Sequence, residues 1–342
     1  MSGSSTSLKT YALTRLALVV PMVLILLTLV FLLMRVAPGN PIAAALGGHV
    51  APSVIKQITH QLGYDKPLYV QYGNYLWGIL HGNLGKTITD RRPVSSIIVE
   101  NGGATLELTV AAGLVAIVVG VVVGLLAGRF RDSWIDVGGR LFGIVAYAMP
   151  VFFLGFLGQL LFGVWLGWLP TSGQASPITQ AFLPIHTHIL IIDAIWAHNW
   201  GALWDVIKHL ILPATTLGIV IGGVFIRLVR VNVIRSLKDD YVEAARARGI
   251  GERSVVYRHA FRNALVPVVT IVGLQMALLL GGAILTEETF NWPGIGSTLV
   301  TYLENRDYAG VQGIVVVFAL AVVVASLVID FVNAFVDPRI RY

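Results

Sequence analysis

The chain has 342 residues, of which 56% are hydrophobic and only 12% are charged. Soluble domains carry roughly 25% charged residues, so this composition excludes an ordinary soluble protein and indicates an integral membrane protein. The absence of cysteine excludes a disulfide framework and a thiolate metal site.

Six uncharged stretches predict membrane-spanning helices, because a spanning helix needs about 20 apolar residues. The first exceeds the apolar core of a secretory signal, so we expect a retained span and not a cleaved leader. The fourth has only 17 residues before Arg227, but Arg227 and Arg230 can snorkel to the interface while the helix continues. An all-α membrane protein is therefore predicted, with spans at 12–35, 103–129, 140–167, 208–237, 264–286 and 308–335.

Lysine and arginine are concentrated on one side of these spans. Counted between the uncharged stretches, sixteen of the 24 basic residues lie in the two tails, in the second-to-third connection (Arg129, Arg131 and Arg140) and in the fourth-to-fifth connection (residues 227–262). The positive-inside rule places these segments, including residues 238–263, and both termini in the cytoplasm. The net charge of +6 then reflects membrane topology, so no nucleic acid partner is indicated. Three segments are predicted to be extracytoplasmic, namely 36–100, 168–207 and 287–307.

The first outer segment is long and is interrupted by glycine and proline. Its stretches "APSVIKQITHQLGYD" and "PLYVQYGNYLWGIL" predict short amphipathic helices. The stretch "GNLGKT" looks like the end of a phosphate-binding loop, but Leu80 stands where that loop needs its first glycine. We therefore expect no nucleotide site in this chain.

Four histidines fall within 24 residues around the second outer segment, and they raise the alternative of a metal or haem site. They are His186, His188, His198 and His209. Asp193 and Asp205 are the only nearby carboxylates, and three tryptophans accompany the histidines. Interfacial histidines are the simpler explanation, so we expect no metal and no cofactor. Since motifs of metalloproteases and serine hydrolases are also absent from the sequence, no enzymatic site is indicated.

The few polar side chains inside the predicted spans are candidates for a translocation path. Gln159 lies in the third span, Thr216 in the fourth and Gln275 in the fifth. Such residues usually face a bundle interior or a wet cavity, because lipid cannot satisfy their hydrogen bonds. Hydrogen bonding between helices is the alternative. Gln275 is the better candidate for the path, because nearby glycines leave room around it.

Residues 238–263 carry the densest charge in the chain and lie between two long apolar runs. Asp239 or Asp240 can cap a helix over residues 241–248, and Gly249 can end this helix in a left-handed conformation. An acidic residue in the first turn also favours the helix through its dipole. The pattern predicts a compact helix in the cytoplasm.

Ala244, Ala245 and Ala247 are expected to give this helix a small-residue face, and a second basic helix is expected over residues 252–263. Small residues let another surface approach closely, so the segment predicts a docking site for a cytoplasmic partner. A plain solvated loop is the alternative reading.

These residues carry a family resemblance. The stretch "EAARARG" at 243–249 resembles the EAA motif of the permease subunits of bacterial ATP-driven importers, a coupling helix that seats in a groove of the ATPase subunit. "RHAFRNALVPVVT" resembles the peptide branch of these permeases, and further blocks agree in order and spacing. They include "RVAPGNP", "LGYDKPLYVQY", "GNLGKT", "TLEL", "WLPTSG", "LPATTLG", "FNWPGIGSTLV", "NRDYAGVQG" and "DPRIR". Asn40 and Asn83 depart from the pattern, because aspartate is common at both positions, so this chain lacks the two carboxylates of the family pattern there.

The resemblance implies the type I ABC importer permease fold in the bacterial cytoplasmic membrane. It also implies four kinds of partner: a second, homologous permease, two cytoplasmic ATPases that bind ATP and Mg, an extracytoplasmic solute-binding protein and a peptide substrate. Nickel, haem, glutathione or another small solute is the alternative cargo. A stand-alone channel, or a haem-binding or enzymatic membrane protein, would be a different class.

The resemblance assigns roles to residues of the charged segment. Glu243 is expected to pair with a basic residue of the ATPase groove, Ala244 and Ala245 to supply the close contact, and Gly249 to permit the turn. The rest of the expected coupling set is Asp240, Tyr241 and Arg246. The acidic residues of the last outer segment are expected to help receive the binding protein, and they are Glu287, Glu288, Glu304 and Asp307.

Overall fold

The computed structural model describes residues 8–36, 41–46, 51–261 and 283–336, together with residues 264, 268, 275 and 279. Within these residues the chain is helical, and the only β-type pairing is an isolated bridge between Lys86 and Pro93. The all-helical prediction is therefore confirmed for this part of the chain. Most of the predicted fifth span lies outside the described residues.

Four helices are long and apolar enough to cross a membrane, and they are α1 (Leu8–Val36), α5 (Val94–Arg129), α10 (Trp200–Ser236) and α15 (Tyr308–Val336). The first outer segment contains α2 (Pro41–Ala45), α3 (Pro52–Gln61) and α4 (Leu68–Leu80). Between the second and fourth long helices lie α6 (Trp134–Ala148), α7 (Val151–Gly158), a π-helical segment (Gln159–Trp165), α8 (Pro177–Phe182) and α9 (Leu190–Trp196). After α10 come α11 (Asp240–Ala247), α12 (Glu252–Ser254), a π-helical segment (Val255–Ala260), α13 (residues 283–290) and α14 (Ile295–Glu304).

The region of the third predicted span differs from the sequence prediction of one helix over 140–167. Here α6 and α7 meet at an angle of 106°. Pro150 causes the break, because proline lacks an N–H group and forces the preceding residue out of the helical conformation. Met149 accordingly has an extended ψ of 132°. Counted as one bent span, the pair gives the described residues five membrane-capable segments.

Both α5 and α10 begin several residues before the apolar runs that predicted them. The early turns of α5 pack Val94 and Ile97 against α14 and α15. The early turns of α10 pack Ala202 and Val206 against the segment that contains α8 and α9. Hydropathy detects only the apolar run, whereas these outer turns gain their stability from tertiary packing.

The central contact of the bundle is a close approach of α5 and α10 along three glycines. Gly120, Gly124 and Gly128 face Phe225, Val229 and Val233, respectively. A Cβ atom added to Gly120 would lie 2.2 Å from the Cβ atom of Phe225, and one added to Gly124 would lie 2.7 Å from the Cβ atom of Val229. The glycines recur every fourth residue and therefore form one helix face. Such small-residue faces bring helix backbones together in membranes.

Two buried carboxylates fasten the outer segments to this bundle, and Glu287 of α13 is the first. Its Oε1 atom accepts a hydrogen bond of 2.7 Å from the hydroxyl of Thr105 in α5. Its Oε2 atom accepts one of 2.9 Å from the backbone N–H of Ser297 in the first turn of α14. Gly294 lies so close that a Cβ atom there would be 2.2 Å from the Glu287 carboxylate. Glu287 of α13 therefore joins its own helix to α5 and α14.

Asp307, directly before α15, is the second buried carboxylate. Its Oδ2 atom accepts hydrogen bonds from the backbone N–H groups of Ile88 and Thr89, at 2.6 and 2.8 Å. Its Oδ1 atom accepts a bond of 3.0 Å from the N–H of Gly310. The side chain thus holds the loop before α5 against the start of the last long helix.

We expect Gly124→Leu to disrupt the bundle. The new side chain would overlap Val229, and overpacking of a well-packed interface costs about 1–3 kcal/mol or more. The yield of monodisperse protein on size-exclusion chromatography and the thermal unfolding midpoint should both fall. Gly138→Leu is the matched control, because a Cβ atom at Gly138 has nothing within 4 Å. Equal stability of the two variants would contradict the glycine contact.

The stability of the contact among α5, α13 and α14 should depend on pH through Glu287. Burial raises its pKa from 4.5 to about 7. The folded chain therefore holds this proton more tightly than the unfolded chain, and the free energy of unfolding should fall as pH rises between these two values. Across this pH range the free energy of unfolding should fall by about 3 kcal/mol in total.

Glu287→Gln should flatten this dependence, because a glutamine side chain does not titrate. The fold should be retained, because the new amide oxygen can accept the backbone N–H bonds and the amide nitrogen can donate to Thr105. Thermal midpoints measured between about pH 5 and pH 8 test this expectation. Glu304→Gln, at an exposed position, is the control and should retain the slope. If the thermal midpoint of Glu287→Gln still falls with rising pH, another group causes the pH dependence.

Candidate functional site: helix α11 and a cavity between α6 and α10

Helix α11 lies in the charged segment and begins one residue earlier than predicted, at Asp240. Asp239 occupies the N-cap position, with φ −75° and ψ 148°, but its side chain makes no capping hydrogen bond. Gly249 follows the helix with φ +77°, the left-handed conformation expected of a residue that ends a helix. The predicted short helix is therefore present.

The predicted small-residue face of α11 is divided between the interior and the surface. Ala245 is only 5% exposed and packs with Val242, Val255 and Ala260. Ala244 is exposed, because adjacent residues of a helix point about 100° apart. The expected contact of Ala245 with a partner is therefore corrected, since Ala245 instead holds α11 against its own chain.

Two further members of the predicted coupling set bond within the chain. Arg246 donates to both carboxylate oxygens of Glu252, at 3.1 and 2.8 Å. This paired hydrogen bond lowers the pKa of Glu252. The hydroxyl of Tyr241 forms a short hydrogen bond with that of Ser236 at the end of α10. The acidic side chains of Asp240 and Glu243 remain exposed beside Ala244.

Helix α11 connects to the bundle through two adjacent apolar clusters. Val255 belongs to the cluster beneath α11, whereas Val256 packs with Leu125 of α5 and Val229 of α10. Leu237 contacts both clusters. The second basic helix predicted over residues 252–263 is α12 followed by a π-helical segment, and residues 262 and 263 lie outside the described residues. A displacement of α11 would therefore be transmitted to α5 and α10 by direct packing.

A cavity of about 560 Å³ lies between α6 and α10, in the half of the bundle nearer α11. Gln275, the strongest path candidate from the sequence, lines this cavity together with Tyr147. Arg140, Arg227 and Arg230 also line it. The structure thus brings the predicted path residue next to a cluster of guanidinium groups that the sequence had not linked to it.

An ion pair with a buried carboxylate adjoins this cavity through Arg230. Asp136 of α6 is fully buried, and both of its oxygens accept hydrogen bonds from Arg230 of α10, at 2.5 and 2.8 Å. Arg140 lies 3.5 Å from the same carboxylate. The guanidinium of Arg230 therefore joins α6 to α10, a partner that the sequence did not indicate. Only the spacing of Asp136 and Arg140 in "DVGGR" hinted at this cluster in the sequence.

The other two path candidates lie away from this cavity. Gln159 donates hydrogen bonds to the backbone oxygens of Thr171 and Thr289, at 2.7 and 2.9 Å. Its amide nitrogen therefore ties the π-helical segment to the outer segments. Thr216 is buried and lines a separate recess of about 170 Å³ between α7 and α10.

The four acidic residues of the last outer segment fall into two pairs. Glu287 and Asp307 are fully buried, and their bonds within the chain leave no charge at the surface for a partner. Their expected docking role is corrected to a structural one. Glu288 and Glu304 are exposed. Partial burial raises the pKa of Glu288, and the charge of Glu304 adds to this effect.

The four outer histidines do not converge on one site. His209 is buried in α10, where its Nδ1 atom lies 2.8 Å from the backbone oxygen of Asp205. His186 packs its ring against Trp196. No group of three potential metal-binding side chains comes together in the part of the chain that the structure describes.

Comparison with known proteins gives two family matches that together cover most of the chain. Residues 120–342 match the model of the binding-protein-dependent transport system inner membrane component, and residues 9–109 match its N-terminal counterpart. The dipeptide transport system permease protein of Alkalihalophilus pseudofirmus is 36% identical, over 97% of this chain and 99% of that protein. The di/tripeptide transport system permease protein of Pseudomonas aeruginosa is 39% identical, over 96% of this chain and 97% of its own.

The glutathione transport system permease protein of Salmonella choleraesuis is 37% identical, over 97% of this chain and 99% of its own. The family that the charged segment and its companion motifs resembled is thereby confirmed. Together with the long apolar helices, these matches show that the chain belongs to the family of inner membrane components of binding-protein-dependent transport systems.

Proposed function

We propose that this chain is the permease subunit of an ATP-driven ABC importer that carries di- and oligopeptides across the bacterial cytoplasmic membrane. The main support is its similarity, over nearly the full length, to permeases of dipeptide and di/tripeptide transport systems. The proposal includes six spans in the type I importer arrangement, with both termini in the cytoplasm. ATP and Mg bind to partner subunits, and this chain has no catalytic role.

The proposed coupling site is the exposed surface of α11. Glu243 pairs with a basic residue of the ATPase groove, and Ala244 gives the close contact beside it. Ala245 supports this surface by packing beneath it, and Arg246 supports it through the exposed ion pair with Glu252. ATP-driven closure of two ATPases moves α11, and packing through Leu237 passes this movement to α10. The spans then rock between outward-open and inward-open states.

The proposed partners on the outer side and in the membrane complete the importer. A second, homologous permease pairs with this chain, and a solute-binding protein docks on the outer segments. Glu288 and Glu304 are the acidic residues available for that docking, because their side chains are exposed. Gln275 lines the translocation path, with Thr216 and Gln159 nearer the outer side.

Glutathione is a second candidate cargo, because a glutathione permease is 37% identical to the chain. Other small solutes such as nickel or haem have less support from the relatives. The complete complex in proteoliposomes, given its binding protein and ATP, distinguishes these cargoes by uptake of labelled dipeptide, glutathione and metal. A chain that conducts ions alone, without ATPases, would support a channel instead and would overturn the importer proposal.

The coupling role predicts different outcomes at two adjacent alanines. Ala244→Trp adds bulk at an exposed site, so the chain should remain stable while ATPase co-purification and ATP-driven uptake fall at least about tenfold. Ala245→Trp adds bulk in the cluster beneath α11, so it should also lower the thermal midpoint. Ala197→Trp, at an exposed position after α9, is the control and should leave both properties unchanged. Normal uptake by Ala244→Trp would remove α11 from the coupling mechanism.

A further inference from the structure

The cavity between α6 and α10 is constructed by a close helix crossing. Gly223 of α10 approaches the backbone oxygen of Gly143 in α6 so closely that a Cβ atom would lie 2.7 Å from it. The ion pair of Asp136 with Arg230 joins the same two helices nearer α11. Two fixed contacts therefore hold the walls of a space of about 560 Å³, which is within the range of small-molecule sites.

This cavity has an excess of positive charge. Three guanidinium groups line it, and Asp136 is the one carboxylate that pairs with any of them among the described residues. Arg230 is held by both oxygens of Asp136, and Arg140 lies 3.5 Å from the same group. Arg227, one helical turn before Arg230, has no ion pair with a described residue. Its guanidinium is therefore the group that remains available to a ligand.

The neighbours of Arg227 are suited to a carboxylate attached to an amide chain. A guanidinium can donate two parallel hydrogen bonds to one carboxylate. Gln275 can both donate to and accept from a peptide group, and Tyr147 adds an aromatic wall. The remaining lining is mainly apolar, which strengthens an ion pair relative to water.

We propose that Arg227 binds the C-terminal carboxylate of the translocated peptide, with Gln275 bonding the adjacent peptide group, in a site on the α11 side of the membrane. The proposal rests on the proposed function, because it names where on the path the peptide is held. Arg230 and Asp136 position the walls of the site. The site is occupied after the peptide has passed the outer half of the bundle.

The natural absence of cysteine gives a direct test in the assembled complex. A single Ile144→Cys substitution, in the cavity lining, reports occupancy through its rate of labelling by a maleimide, measured on this chain by mass. Added dipeptide should slow labelling, and the same dipeptide with a C-terminal amide should need about tenfold higher concentration. With Arg227→Gln this difference should disappear, whereas Arg227→Lys should retain part of it.

Arg235→Gln is the matched control, because Arg235 is an exposed arginine of α10 outside the cavity lining. It should preserve the difference between the acid and the amide. Undiminished preference for the acid in Arg227→Gln would overturn the proposal. Protection by glycerol phosphate but not by dipeptide would also overturn it, and would assign Arg227 to a lipid headgroup. Failure of the unmodified complex to take up any peptide would instead reject the proposed function.

Discussion

The close contact of α5 with α10 is the constraint on which the rest of the structure depends. Three glycines on one face of α5 allow Phe225, Val229 and Val233 to approach its backbone. In lipid the hydrophobic effect does not drive helices together, so association relies on close packing and hydrogen bonds. The elements of the candidate site are built on this pair. Helix α6 crosses α10 beside this helix pair. The cluster beneath α11 adjoins the apolar cluster that contains Val229 of α10, because Leu237 packs against both clusters.

Three buried carboxyl groups add further fixed contacts between helices and loops. Asp136 fixes α6 to α10, Glu287 fixes α13 and α14 to α5, and Asp307 fixes the loop before α5 to α15. A carboxylate removed from water needs several hydrogen-bond donors, and each of these three has them from separate segments of the chain. These side chains therefore define how segments far apart in sequence fit together.

The sequence predicted the helical class, the long apolar helices and the short helix α11, because each depends on local composition and periodicity. Prediction failed where a distant contact decides the outcome. Nothing near Glu287 in the sequence shows that Thr105 and Ser297 surround it, so from the sequence its acidic loop looks like a docking surface. Ala245 and Ala244 look equivalent until Val255 covers one of them. Pro150 lies within an apolar run, and hydropathy alone hides the bend that it causes.

The continuity of α10 has a mechanical consequence. With 37 residues the helix is about 55 Å long. Gly218 lies at its midpoint, where a Cβ atom would be 2.6 Å from the Cβ atom of Val115 in α5, so this close approach can act as a fulcrum. A tilt of about 10° around that point moves each end by roughly 5 Å, in opposite directions. A small push at α11 therefore draws the outer end of α10 the other way, and a single helix can open one face of the membrane while it closes the other.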